Sequence, residues 1–131
     1  MTTLTLHATG PIEPDEVWDR FVRPARWPEW SPQISRVQAT APRIAPGVTG
    51  RVYDPLRTSV PFVVDGVSDA TRWWSWQVTV GPTRLRLAHW VGPGPDDGTT
   101  TGLRISGFAP LVLGYAPLAL LAIKRLVTIT T

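Results

Sequence analysis

The longest apolar run in the chain is its last segment, Gly107 to Thr131, and it narrows what everything before it can build. Leu111, Tyr115, Leu118, Leu121, Ala122 and Arg125 recur at three-and-four spacing, the period of a helix face. Leu113, Leu120 and Val127 make a second face apolar as well. A helix apolar nearly all round is buried, faces a cavity or crosses a membrane. Between Ala109 and Ile123 the run holds two prolines and a glycine, and Lys124 and Arg125 close it. That is shorter than the ~20 residues a spanning helix needs, so no membrane span is expected. The better expectation is a helix wrapped by a sheet that the earlier residues form. Pro110 suits a first helical turn, where a missing N–H costs little. Pro117 removes an intrahelical bond and predicts a kink or break, with a short Phe108–Tyr115 segment and a main Ala116–Thr128 helix.

The upstream segments supply such a sheet. Thr2–Thr9 alternates, with Leu4 and Leu6 on one side and Thr3, Thr5 and His7 on the other, the pattern of a half-buried strand. Gly10-Pro11 ends it. Pro14, Asp15 and Glu16 open a helix, since proline fits the first position and acids favour the positive end of the dipole. Val17, Trp18, Phe21 and Val22 give this helix an apolar face. Glu16–Arg20 and Asp19–Arg23 read as four-apart ion pairs on its wet side. Pro24 stops it, and Arg26–Pro32 reads as a tight turn or one helical turn that anchors Trp27 and Trp30 on a core.

Strands are expected over Ile34–Thr40, Val48–Asp54 and Val60–Val67. Gly50 marks a bulge or close contact, and Pro61 argues for an edge strand or a strand start. Thr71–Val80 and Thr83–Val91 are the clearest pair, joined by Gly81-Pro82, a two-residue link although not a favoured dipeptide for one. Trp74, Trp76, Val78 and Val80 share one face of the first. Leu85, Leu87, His89 and Val91 share one face of the second. Thr99–Gly107 is the last strand, with Leu103 and Ile105 inward. Strand, helix, helical turn, six strands and a long helix make an α+β domain with an antiparallel sheet. At 131 residues the chain is one domain, 1–131, with enough length for a core.

Composition excludes several function classes. There are no cysteines, hence no disulfide framework, thiol nucleophile or cysteine-ligated metal. The two histidines, His7 and His89, lack metal-ligand spacing, and no metal is expected. Net charge is +3, yet the arginines are scattered from Arg20 to Arg125 without a basic stripe, which argues against nucleic acid. No Walker loop, dinucleotide glycine pattern or nucleophile elbow is present, so no cofactor is expected. The N-terminus lacks a basic start followed by an apolar run, and a cytoplasmic protein is the default.

The order of elements, with Pro14–Asp19 at the first helix and Trp27–Pro32 after it, resembles the SRPBCC superfamily, the START-like or helix-grip fold. Gly47–Gly50, Trp76-Gln77-Val78, His89 and Gly98-Thr99-Thr100 extend the likeness over the whole chain, toward polyketide cyclase/dehydrase-like members. The resemblance implies a curved seven-stranded antiparallel sheet gripping a long C-terminal helix, two short helices after the first strand, and a cavity between sheet and helix. In many members that cavity holds a lipid, sterol, polyketide or other apolar molecule. Activities differ widely across the family, so the fold alone assigns none.

His89 is the main candidate for chemistry. It sits on an apolar strand face and could take a proton alpha to a carbonyl in a cyclase or dehydratase. The more conservative reading, and the favoured one, is a core histidine bonded to a backbone carbonyl or water, or one that merely lines a pocket. Asp65 is the nearest guess for a carboxylate partner. Arg51 and Arg104 could clamp an anionic ligand group, although Arg104 faces out if Leu103 and Ile105 face in. Tyr53 or Tyr115 could donate a hydroxyl, and Tyr115 is better placed for a cavity. The expected ligand-lining residues are Trp30, Trp74, Trp76, Leu87, His89, Leu103 and Tyr115. Three functions stay open: binding of a small apolar or aromatic ligand, a cyclase/dehydratase using His89, or an interaction domain whose interior its own tryptophans fill. A homodimer is compatible with each.

Overall fold

The computed structural model describes residues 1–130; Thr131, the end of the C-terminal run, lies outside the described residues. The order is β1 (Thr2–Gly10), α1 (Pro14–Val22), a 3-10 turn at Pro24–Arg26, α2 (Trp27–Trp30), then β2 (Arg36–Ala39), β3 (Thr49–Tyr53) and β4 (Ser59–Ser68). There follow β5 (Trp73–Val80), β6 (Thr83–Pro93), β7 (Thr99–Gly107) and α3 (Ala109–Thr128). All seven strands form one antiparallel sheet in the order β1-β7-β6-β5-β4-β3-β2. The helices cover one face of it, and α3 packs chiefly against β1 and β7. This is the helix-grip arrangement, an α+β fold with the two short helices after the first strand.

Alternation does what the sequence implies. On β5, Trp74, Trp76 and Val78 are buried; on β6, Leu85, Leu87, His89 and Val91 are; on β7, Leu103 and Ile105 are, while Arg104 is exposed. The β5–β6 link works because Gly81 has φ 57° and can lead the turn, which leaves Pro82 the second position, where negative φ is wanted. Gly50 is a close contact rather than a bulge, since a Cβ there would meet the Phe62 ring at 2.8 Å. The irregularity falls instead between Val64 and Gly66, at Asp65.

Pro61 does not mark an edge. β4 runs between β3 and β5, and Pro61 stands opposite Arg51 as its third residue. The Val64 N–H and carbonyl point toward the β3 side. By alternation the missing N–H of Pro61 faces β5, and the ladder between the two strands begins one residue further on, at Phe62, so the proline sits at the end of the ladder and does not interrupt it.

Pro117 does not break the last helix. Ala109–Thr128 is one element of 20 residues with Pro117 inside it. The Pro117 ring lies on the exposed face, so the Leu113 carbonyl that loses its partner does so on the wet side. The continuous helix therefore reaches spanning length, longer than the sequence implied. Val112, Ala119, Ala122, Ile123, Leu126 and Val127 are buried beneath it. These pack it into the fold as the gripped core helix.

Arg20 also departs from expectation. The pair with Glu16 forms, Nε to Oε2 at 3.1 Å, but Arg20 is 1% exposed and not on a wet face. Its guanidinium donates to the carbonyls of Leu126 (2.8 Å) and Ile129 (2.6 Å). Those are among the groups a helix C-terminus leaves unpaired, and a cation there also meets the negative end of the helix. Arg20 thus fastens α1 to the end of α3. Arg26 completes the cluster with Glu16, Asp19 and Glu29. Its hydrogen bond is the main cause that holds the Glu16 carboxyl below the usual range.

Candidate functional site

Where α3 rises away from the middle of the sheet, a cavity of about 290 Å³ opens. Its floor is Trp76, Val78 and Val80 of β5 with Leu85 and Leu87 of β6. Its roof is Leu111, Tyr115 and Leu118, which lie on one face of α3. Val52 and Tyr53 of β3, Val60 of β4 and Gln33 and Ile34 after α2 close the sides. The walls are overwhelmingly apolar, with a few polar groups, the usual make-up of a small-molecule site at the small end of the ~300–1,000 Å³ range. Asp54 lies at the rim, where its carboxylate is taken up by Thr58 and the Leu56 N–H.

Deeper in, the fold is filled by aromatic rings. Trp27 meets Trp76 at 5.0 Å, Trp74 stacks on Trp76 at 5.4 Å, and His89 stacks on Trp74 at 4.8 Å with only 13° between planes. Trp27 and Trp30 are tied down by their indole N–H groups, which donate to the carbonyls of Phe21 and Arg20. What remains open is an inner chamber of about 20 Å³, bounded in part by Trp30, Trp74, His89 and Leu103. Gln33, Ile34, Trp76 and Tyr115 border both spaces.

The expected lining residues therefore divide. Trp76, Leu87 and Tyr115 face the main cavity. Trp30, Trp74, His89 and Leu103 lie around the inner chamber, as Trp76 and Tyr115 also do. Val78, Val80, Leu85 and Leu111 went unnamed although the signal was present: each shares a strand or helix face with a residue that was named. Gln33 had no such signal. It sits in a loop, and its place comes from the hydrogen bond its Nε2 donates to Tyr115 Oη at 3.1 Å.

His89 is 4% exposed, and burial pushes its pKa down to about 3. Its Nε2 lies 3.1 Å from Trp76 Nε1. An indole nitrogen can only donate, so Nε2 accepts and the proton of the neutral ring sits on Nδ1. Asp65 is not its partner: that carboxylate is exposed and accepts from Gln77 Nε2 at 3.0 Å. Tyr115 is half-buried, and desolvation of its hydroxyl raises its pKa against the opposing effect of the Gln33 bond. Tyr53 also borders the cavity, but its hydroxyl is engaged by Gln38. Arg51 and Arg104 are exposed and lie outside both spaces, with Arg51 bonded to Ser59. Among the described residues no group of His, Asp or Glu is arranged to hold a metal.

A curved antiparallel sheet closed by a gripped C-terminal helix, with an apolar cavity between them, defines the helix-grip class of the SRPBCC superfamily. Within it the chain belongs to the polyketide cyclase/dehydrase and lipid transport family, whose model matches residues 1–128. No curated protein matches it. Solved structures of the same fold include XoxI from Bacillus cereus, 15% identical with a TM-score of 0.77 over 97% of this chain and 94% of that one. An uncharacterized Bacillus thuringiensis protein is 14% identical with a TM-score of 0.75, over 96% and 95% of the two chains. Ara h 8.0201 is 13% identical with a TM-score of 0.71, over 95% and 94%. At these identities the likeness is one of fold.

Proposed function

We propose that the protein binds a small apolar or aromatic molecule in the cavity between the sheet and α3. The observation that carries this reading is the 290 Å³ of apolar space left beside a core otherwise filled with tryptophan. A domain whose interior is closed by its own rings would leave no such space; here the rings fill the inner part alone. The family description, which joins cyclases and dehydrases to lipid transport, supports ligand binding at the same coarse level.

The enzymatic reading has less support. A general base needs a free lone pair aimed at the proton it takes. The Nε2 lone pair of His89 is engaged by the Trp76 N–H, and its Nδ1 carries a proton. No carboxylate among the hydrogen-bond partners of the described residues orients the ring. Binding without turnover is therefore the favoured reading.

Titration with 1-aminoanthracene, a neutral fluorophore that brightens in apolar surroundings, tests it. Saturable binding at one molecule per chain is expected. The double substitution Val60→Phe and Val80→Phe fills the cavity from two walls and should weaken binding at least tenfold while the fold is retained by circular dichroism. Binding unchanged in a folded double variant would place the fluorophore elsewhere and contradict the assignment.

A further inference from the structure

Three polar side-chain atoms around the inner chamber are buried and have no hydrogen-bond partner among the described residues: Trp74 Nε1, His89 Nδ1 and Gln33 Oε1. All three residues line the chamber. Trp74 is 1% exposed and His89 4%, so neither N–H can turn to bulk water. An orphaned buried polar group forfeits a hydrogen bond that the unfolded chain makes with water, and native proteins rarely leave one unanswered. Two such donors sit on rings stacked 4.8 Å apart; the third orphan, the Gln33 acceptor, belongs to a residue that also borders the outer cavity. The chamber, at about 20 Å³, has room for a single oxygen atom with its hydrogens or its bonded carbon.

We propose that this chamber is an oxygen-recognition subsite, in which Trp74 Nε1–H and His89 Nδ1–H donate to the carbonyl oxygen of a neutral ligand whose apolar body fills the outer cavity. The inference rests on the ligand-binding reading above and adds the ligand's chemistry to it. The donor identity of His89 follows from geometry: Trp76 occupies Nε2 and so forces the proton onto Nδ1. The shared borders at Gln33, Ile34, Trp76 and Tyr115 put the chamber directly beyond the outer cavity.

The site selects neutral over charged acceptors. No arginine or lysine lines either space, and the one acid near the mouth, Asp54, would repel an anion. A buried histidine that resists protonation adds no positive charge near neutral pH. A carboxylate entering this chamber would lose its hydration and find only neutral donors. A ketone, aldehyde or ester carbonyl loses less and gains both hydrogen bonds.

Three probes of one shape separate the outcomes: 2-acetylnaphthalene, 2-ethylnaphthalene and 2-naphthoate, titrated by calorimetry at pH 7.5. The ketone is expected to bind about tenfold tighter than the hydrocarbon, the ratio a hydrogen-bonded oxygen typically brings. The carboxylate should bind weaker than the ketone by a similar factor or more. A ¹³C label on the ketone carbonyl should shift downfield on binding. In Trp74→Phe, which keeps an aromatic side chain but removes the N–H, the ratio of ketone to 2-ethylnaphthalene affinity should fall severalfold. Equal affinity for ketone and hydrocarbon, with no carbonyl shift, overturns the subsite and leaves the cavity reading standing. Preference for the carboxylate overturns it as well. Failure of all three probes to bind contradicts the cavity reading, and the subsite with it.

Discussion

At the scale of the residue, His89 shows how packing decides chemistry. The same imidazole could act as acid, base or donor, and the choice is made by what touches each nitrogen. Trp76 engages one and leaves the other a donor. Burial then keeps the ring neutral: its pKa near 3 lies below the 6.5 of an ordinary histidine. Between those values the unfolded chain binds a proton that the folded chain refuses. The contribution of His89 to stability is therefore intact above pH 6.5 and declines as pH falls toward 3, by about 1.4 kcal/mol per unit. In urea unfolding, the wild type should lose about 2 kcal/mol more than His89→Phe between pH 7.5 and pH 5. Parallel losses in the two proteins would mean that the folded chain takes up the proton on His89 as readily as the unfolded one, and that Trp76 does not hold Nε2 against it. Alternation along β6 was enough to place His89 inward. Its partner could not be read the same way, because the Trp76–His89 bond depends on the β5–β6 register, in which Trp76 stands opposite Leu87 and Trp74 opposite His89.

At the scale of the element, periodicity served well and propensity less so. Every strand was legible in the sequence, β1, β5, β6 and β7 from two-residue alternation, and the inward residues Trp74, Trp76, Leu87, His89, Leu103 and Ile105 are buried as read. The errors came from local rules overridden by surroundings. Pro61 signals an edge only when its missing N–H would break a ladder midway, and here the ladder with β5 begins one residue further on, at Phe62. Arg20 reads as a wet residue on a helical wheel, yet its partners are carbonyls over a hundred residues away at the end of α3. Pro117 reads as a break, yet its ring and the freed carbonyl both face solvent. The helix tolerates the proline rather than requiring it. Proline inside a helix costs up to about 3 kcal/mol relative to alanine. Pro117→Ala should accordingly raise stability by about 1–3 kcal/mol in chemical denaturation and keep the helical signal in circular dichroism. A destabilised variant would show that a bend at Pro117 is needed to seat α3 on the sheet.

At the scale of the whole molecule, function depends on a mismatch between two shapes. α3 is held at both of its ends: Phe108 follows directly on β7, and Arg20 clasps the C-terminal carbonyls. The helix packs closely on β1 and β7, while the sheet curves away toward β3 and β4. Large rings from β5 and α2 fill the inner part of the gap, while the outer part is lined mainly by valines and leucines, with Trp76 and Tyr115 bordering both. That division explains why the tryptophans were visible in the sequence as a cavity wall or a core and turned out to serve as both. The size of the opening was not legible, since it is set by sheet curvature and helix height rather than by any residue pattern. Gln33, which joins the loop after α2 to Tyr115, was equally hidden.

The central claim is that this opening holds a small apolar molecule, and native mass spectrometry of the gently purified protein tests it most directly. The account predicts a species one small molecule heavier than the bare chain, with solvent extraction releasing an apolar compound sized for about 290 Å³. In the Val60→Phe, Val80→Phe double variant that heavier species should be absent. A bare mass that stays bare after incubation with excess 1-aminoanthracene would contradict the account and return the fold to a domain with no ligand.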